Sequence, residues 1–243
     1  MIPAYLEVPS NAYRCNGKLN QGGLAEIYIA MIADPKLLQR SQNMTICVAK
    51  VLKGDKTGVK AFLQEVSVMH YLGSCQNIAK MFGFDRIQKV ILMKHYPLGS
   101  LAGFIQQGAL GVPYNMQAVF NIIHGISSGL WFMHTRKIAH SDMKPGNVLL
   151  EPLFQGSNLV RAVLTDFGIS RILEPQFLAV RAFEVANQRG LSIRYAAPEV
   201  MLECYKQIPP ISEPRIVASG DVYSFGVVIC EMLTRAVPWS RNT

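Results

Sequence analysis

A chain of 243 residues, half of them hydrophobic and only 16% charged, is long enough for a substantial core and too apolar for intrinsic disorder. Its formal net charge of +8 suits an anionic ligand, but the basic residues are scattered, with no Lys/Arg block and no interleaved aromatic run, which speaks against nucleic-acid binding. The five cysteines show no CxxC pair and read as reduced, intracellular thiols.

The opening MIPAYLEVPS lacks a basic start and an apolar core, so no signal peptide is expected. No apolar run approaches the ~18 residues of a membrane span. The expected location is cytoplasmic. Up to Lys94 the pattern is mostly strand-like: Glu26–Met31, Thr45–Leu52, Met81–Arg86 and Lys89–Lys94 are short, rich in β-branched and aliphatic residues, and bounded by Gly, Asn or Asp. Between the second and third, Val59, Phe62, Val66 and Met69 repeat at helical spacing and predict a helix over Gly58–Leu72. Glu65 falls on its apolar face, either at the margin or in need of a partner.

Pro97-Leu98-Gly99-Ser100 marks a boundary, after which the chain turns mainly helical. Met116, Val119, Ile123, Ile126, Leu130 and Met133 predict a core helix over Asn115–Thr135. Short strands follow at Val148–Glu151 and Arg161–Thr165, and Asp221–Leu233 is apolar nearly all round, which predicts a buried helix. No internal repeat or low-complexity segment interrupts this order.

Between the long helix and the first of those strands lies IAHSDMKPGNVLL, Ile138 to Leu150. Asp142 can accept a proton from a hydroxyl, Lys144 can neutralise a phosphoryl group, and Asn147 can ligate a hard cation through its carbonyl. A plain polar turn would use the same residue types. Thr165-Asp166-Phe167-Gly168 can deliver a second carboxylate to Mg²⁺ from a strand end. Upstream, Lys50 stands on a mostly apolar strand, where it either snorkels to solvent or pairs with Glu65.

Taken in order, Lys50, Glu65, the His140/Asp142/Lys144/Asn147 loop, Asp166-Phe167-Gly168, Ala197-Pro198-Glu199 and DVYSFG from Asp221 resemble the eukaryotic protein kinase domain, from about Tyr13 to the C-terminus. Lys144 and Ser192 resemble the serine/threonine kinases, and DVYSFGVVICEML the tyrosine-kinase-like group among them. The resemblance implies an α+β bilobal fold: a β-rich N-lobe over residues 13–93, a hinge over 94–99 and a mainly α-helical C-lobe over 100–243. It implies ATP and Mg²⁺ as cofactors and protein substrates as partners, with oligomeric state left open. Asp142 would be the catalytic base, Lys144 would steady the γ-phosphate, and Asn147 and Asp166 would hold the metal. Lys50, locked by Glu65, would grip the α/β-phosphates. Leu19, Gly22, Ile27, Val48 and Leu149 would surround the nucleotide, with Met93 as gatekeeper and Lys94, His95 and Tyr96 as the adenine-reading hinge. Met69, Met81, His140 and Phe167, seated on Asp221, would form the spine.

Some positions depart from that pattern. NQGGLA, Asn20 to Ala25, keeps only the middle glycine, Gly22, and Val48 is bulkier than the usual alanine, so weaker nucleotide binding is expected. The chain stops at Thr243 where the family continues through more helices, so the domain reads as C-terminally truncated and Glu199 as lacking its basic partner. Ser141 replaces the arginine that binds an activation-segment phosphate, and no Ser, Thr or Tyr lies between Arg171 and Leu191. Activity independent of a phosphate there is the expectation. The readings are a protein Ser/Thr kinase first, a pseudokinase or scaffold second, and a small-molecule phosphotransferase third, against which the DFG and APE triplets speak.

Overall fold

Strand-forming runs separated by turn residues make the first part of the chain a sheet accompanied by two α-helices. The computed structural model describes residues 2–21, 25–53, 56–106, 116–154, 156–157, 159–173, 192–209, 211 and 213–240. The chain divides into two units, Met1–Tyr96 and Pro97–Thr243.

In the first unit, β1 (Tyr13–Gln21), β2 (Ala25–Ile32), β3 (Ile46–Leu52), β4 (Met81–Asp85) and β5 (Val90–Met93) form an antiparallel sheet in the order β1-β2-β3-β5-β4. The sequence reading missed β1, and the reason is physical. Its register slips between Cys15 and Gly17 and again between Lys18 and Asn20, so two irregularities erase the alternation that would announce a strand. The second slip leaves Leu19 as the extra residue, and it is exposed.

A short helix, α1 (Pro35–Arg40), begins where the Asp34 carboxylate accepts from the Leu37 N–H at 2.7 Å and Pro35 fits the first turn. It carries Leu37, fully buried, into a cluster with Tyr13, Cys47, Ala49, Phe82 and Leu92. Burial pushes the Cys47 thiol up to about 12, which leaves it an inert core residue.

The predicted helix runs over Lys56–Leu72 (α2). Phe62, Val66 and Met69 are buried as expected, and Phe62 meets Phe84 edge-on with ring centroids 6.1 Å apart. Val59 does not join them: it is 43% exposed, because the stripe reaches the core only from Phe62 onward.

The second unit contains α3 (Leu101–Gln106), α4 (Met116–Thr135), the β6–β9 pair (Ile138–Ala139 with Arg171–Ile172), the β7–β8 pair (Val148–Pro152 with Val160–Leu164), α5 (Pro198–Cys204) and α6 (Pro214–Thr234). In α4, Val119, Ile126, Leu130 and Met133 are buried, but Met116 in the first turn is 58% exposed, so the core stripe begins one turn later than the pattern implies. Gly125 lets α4 lie on β8: a Cβ there would stand 3.0 Å from both the carbonyl oxygen and the Cβ of Ala162. Gly125→Ala is therefore expected to lose about 1–2 kcal/mol, overpacking outweighing the gain in helix propensity. A lowered urea midpoint with unchanged slope would register it.

The helix predicted over Asp221–Leu233 starts earlier, at Pro214, with Glu213 accepting from the Arg215 N–H at its N-cap. It is not buried all round. Val222 and Leu233 are 59% and 56% exposed, while Asp221, Ser224, Val228, Glu231 and Met232 form the inward face. By length and composition this helix could cross a membrane. However, its inward face carries two carboxylates that take hydrogen bonds from elsewhere in the same unit, the pattern of a core helix.

Candidate active site

The loop from His140 to Asn147 in the second unit is organised by one buried carboxylate. Asp221, 1% exposed, accepts from the His140 N–H at 2.7 Å and from the His134 ring at 2.8 Å through Oδ2, and from the Ser141 N–H at 2.7 Å through Oδ1. These bonds hold Ser141 at φ 67°, a left-handed backbone that a serine adopts only when its surroundings impose it.

His140 fixes the next layer. Its Nδ1 accepts from the Asp142 N–H at 3.3 Å and its Nε2 lies 2.9 Å from the Thr165 carbonyl, which assigns the neutral, Nε2-protonated tautomer. The imidazole thereby ties the Asp142 loop to the strand end preceding Asp166. A second tie runs from the Thr165 N–H to the Asn147 carbonyl at 3.0 Å. His140 also packs on Phe167, fully buried, with ring centroids 5.4 Å apart.

Asp142 is 8% exposed, and its Oδ2 accepts from Lys144 Nζ at 2.7 Å and from Asn147 Nδ2 at 2.9 Å. Asn147 Nδ2 also donates to the Asp142 carbonyl at 2.8 Å, so the amide is orientated and its Oδ1 faces away from Asp142. Oδ1 of Asp142 is buried with no hydrogen-bond partner among the described residues. A carboxylate with one oxygen held by two donors and the other unclaimed is set to accept one more proton donor. Lys144 Nζ donates further to Ser192 Oγ at 2.8 Å. A small cleft opens beside these groups, lined by Asp142, Met143, Ser192, Tyr195 and Ala197 among others.

Asp166 follows Thr165 at φ 67°, again left-handed. With Asn147 it offers one carboxylate and one amide oxygen, hard ligands of the kind Mg²⁺ uses when substrate phosphates and water complete its shell. No cluster of three or more His, Cys, Asp or Glu stands among the described residues. Leu149 sits on β7, paired with Val163 and bridged to Ser100.

The first unit holds the other predicted residues. Lys50 on β3 and Glu65 on α2 form an ion pair of 2.6 Å, with the lysine 7% and the glutamate 1% exposed. This resolves both open readings of the sequence: the lysine does not snorkel, and the acid on the apolar face has its partner. Ile27 is the cross-strand neighbour of Lys50, and Val48 that of Met93. Past Met93, Lys94 N–H bonds to the Lys80 carbonyl and Tyr96 Oη accepts from the Lys80 N–H at 3.0 Å. Between them His95 has no hydrogen bond to its N–H among the described residues, and burial lowers its ring pKa. Met69 and Met81 lie in this unit, the first fully buried. Gly22 lies outside the described residues.

Glu199 has no side-chain hydrogen bond among the described residues and sits in the first turn of α5, where the helix dipole favours an acid. Sequence reasoning missed the pair one turn on, Arg171 with Glu203, and also Tyr195 Oη donating to Glu231 at 2.7 Å. Neither has a local signal, since the partners stand 32 and 36 residues apart.

A buried Lys–Glu pair in a β-rich unit, and an Asp, Lys and Asn converging on one loop beside a strand-end Asp in a helical unit, are the arrangement expected of a kinase-type fold. Residues 13–243 match the protein kinase domain, and the chain belongs to that family. It is 28% identical over 238 residues to the probable serine/threonine-protein kinase PBL18 of Arabidopsis thaliana, covering 94% of this chain and 54% of that protein. It is 30% identical over 226 residues to U-box domain-containing protein 70 of Oryza sativa subsp. japonica, covering 91% and 25%. Cysteine-rich receptor-like protein kinase 25 of Arabidopsis thaliana is 25% identical, with 94% and 30% covered. The chain thus spans about half the length, or less, of the curated relatives it matches.

Proposed function

We propose that this chain transfers the γ-phosphoryl group of ATP to Ser or Thr hydroxyls of protein substrates. The observation that carries the reading is the state of Asp142, with Oδ2 occupied by Lys144 and Asn147 and Oδ1 without a partner. A substrate hydroxyl meeting Oδ1 is orientated and relieved of its proton as its oxygen attacks phosphorus. Lys144, also bonded to Ser192, balances the charge on the transferring group. Lys50, held by Glu65, takes the α/β-phosphates, and the N–H of His95 reads adenine, with Ile27 and Val48 of the same unit as the apolar residues nearest that chemistry on β2 and β3. Asn147 and Asp166 would hold Mg²⁺, which would neutralise the phosphate oxygens when bound. The relatives named as serine/threonine kinases support the hydroxyl class, and the complete set of charged groups favours turnover over a scaffold role. ATP use and free thiols such as exposed Cys15 and Cys230 fit a cytoplasmic setting for the domain.

Incubation of the full chain with labelled ATP, Mg²⁺ and a generic basic protein tests this. Label is expected on Ser and Thr, and its absence would sink the reading. Independently, Mg-ATP is expected to raise the thermal midpoint of the wild type and not that of Asp166→Asn, which keeps the shape and loses the anionic ligand.

A further inference from the structure

Arg171 and Glu203 take no part in the chemistry above, yet both are almost wholly buried, at 3% and 2% exposure. Arg171 Nη1 donates to Glu203 Oε2 at 3.0 Å and Nη2 to Oε1 at 3.4 Å, a two-pronged pair. The same groups close on Ile211: Arg171 Nη2 donates to its carbonyl at 2.8 Å, and its N–H donates to Glu203 Oε1 at 2.9 Å.

The position of the pair in the chain gives it meaning. Arg171 opens β9, three residues beyond Gly168, and pairs with Ala139 of β6, the strand that enters the catalytic loop. The preceding Ser170 donates to the His140 carbonyl at 3.3 Å. Glu203 lies in α5, the helix that begins shortly after Ser192 in the chain, and the Ser192 hydroxyl meets Lys144. One ion pair therefore joins the strand that follows Asp166 to the helix that follows Ser192. The sequence between Arg171 and Leu191 contains no Ser, Thr or Tyr, so no phosphate can be placed there to recruit a guanidinium. A carboxylate from inside the fold already fills that role.

We infer that Arg171 and Glu203 are positioning residues for phosphoryl transfer, their buried pair holding β9 and α5, and through them the Asp142 loop and Ser192, in working register without phosphorylation. This rests on the phosphotransfer reading and specifies how that site is regulated.

The test uses the full chain, treated with phosphatase and shown by intact mass to carry no phosphate. The wild type is expected to keep its transfer rate within about twofold, while Glu203→Gln lowers kcat by ~10-fold with the KM for ATP little changed. Glu203→Asp, which keeps the charge, recovers part of the loss. Leu37→Ala, a core deletion in the other unit, serves as the stability control: it lowers the unfolding midpoint and leaves kcat at assay temperature unchanged. Should Glu203→Gln not accumulate as folded protein, Arg171→Lys, which keeps the charge and loses the fork, is read in the same way. Loss of wild-type activity on phosphatase treatment overturns the inference, as does a Glu203→Gln enzyme with wild-type kcat. A wild type that never transfers phosphate sinks the phosphotransfer reading and this inference with it, whereas an active wild type indifferent to Glu203 sinks the inference alone.

Discussion

Replacing Asp142 by alanine is expected to lower kcat by ~10³-fold while leaving the KM for ATP nearly unchanged. The carboxylate has two separable duties. Oδ2 organises its own loop through Lys144 and Asn147, and in the proposed reaction Oδ1, which has no partner among the described residues, meets the substrate hydroxyl. Alanine removes both. Asp142→Asn separates them: its amide oxygen can still face Lys144 and Asn147, which both donate, and its NH₂ then occupies the place of Oδ1. A donor there repels the hydroxyl proton that an acceptor would have taken. The asparagine variant should therefore fold and bind nucleotide as the wild type does and be almost as inactive as the alanine variant. Initial rates of γ-phosphate transfer, with nucleotide binding followed by thermal shift, check this; equal transfer rates in wild type and Asp142→Ala would remove Asp142 from the mechanism.

How much of this was legible beforehand depended on whether the signal was local. Asp142, Lys144 and Asn147 sit within one loop, so their offsets alone suggested shared chemistry, and the structure joins all three by hydrogen bonds. Lys50 and Glu65 were readable because each was anomalous, a cation on an apolar strand and an acid on an apolar helix face. Strand β1 was invisible because its irregularities at Cys15–Gly17 and Lys18–Asn20 break the period that strand detection needs. The expectation for α6 failed differently. Its composition is apolar all round, but composition cannot tell which face a fold covers, and Val222 and Leu233 are exposed while Asp221 and Glu231 point inward. Arg171 and Glu203 look like ordinary surface charges in their own neighbourhoods. Only the fold brings them together, and the same holds for His134 beside Asp221.

That last carboxylate carries the largest expected effect on stability. Asp221→Ala leaves the N–H groups of His140 and Ser141 buried without acceptors and frees His134, at a cost of about 3–5 kcal/mol. The left-handed turn at Ser141 persists because Asp221 accepts from the successive N–H groups of His140 and Ser141 that lead into it, and without that hold the strain relaxes by moving the loop. Asp142 is the next residue, so the displacement passes to the carboxylate proposed as the catalytic base, and a shift of ~1 Å there is worth ~10²-fold in rate. Asp221→Asn is the finer probe. Its amide oxygen can satisfy one side of the clamp, but its NH₂ must face a second N–H donor, so about half of the stability loss should remain. Urea unfolding gives the stability of each variant, and transfer rates measured well below each midpoint give the activity. An Asp221→Ala protein as stable as the wild type, or destabilised yet fully active below its midpoint, would show that the clamp around Ser141 does not hold the loop.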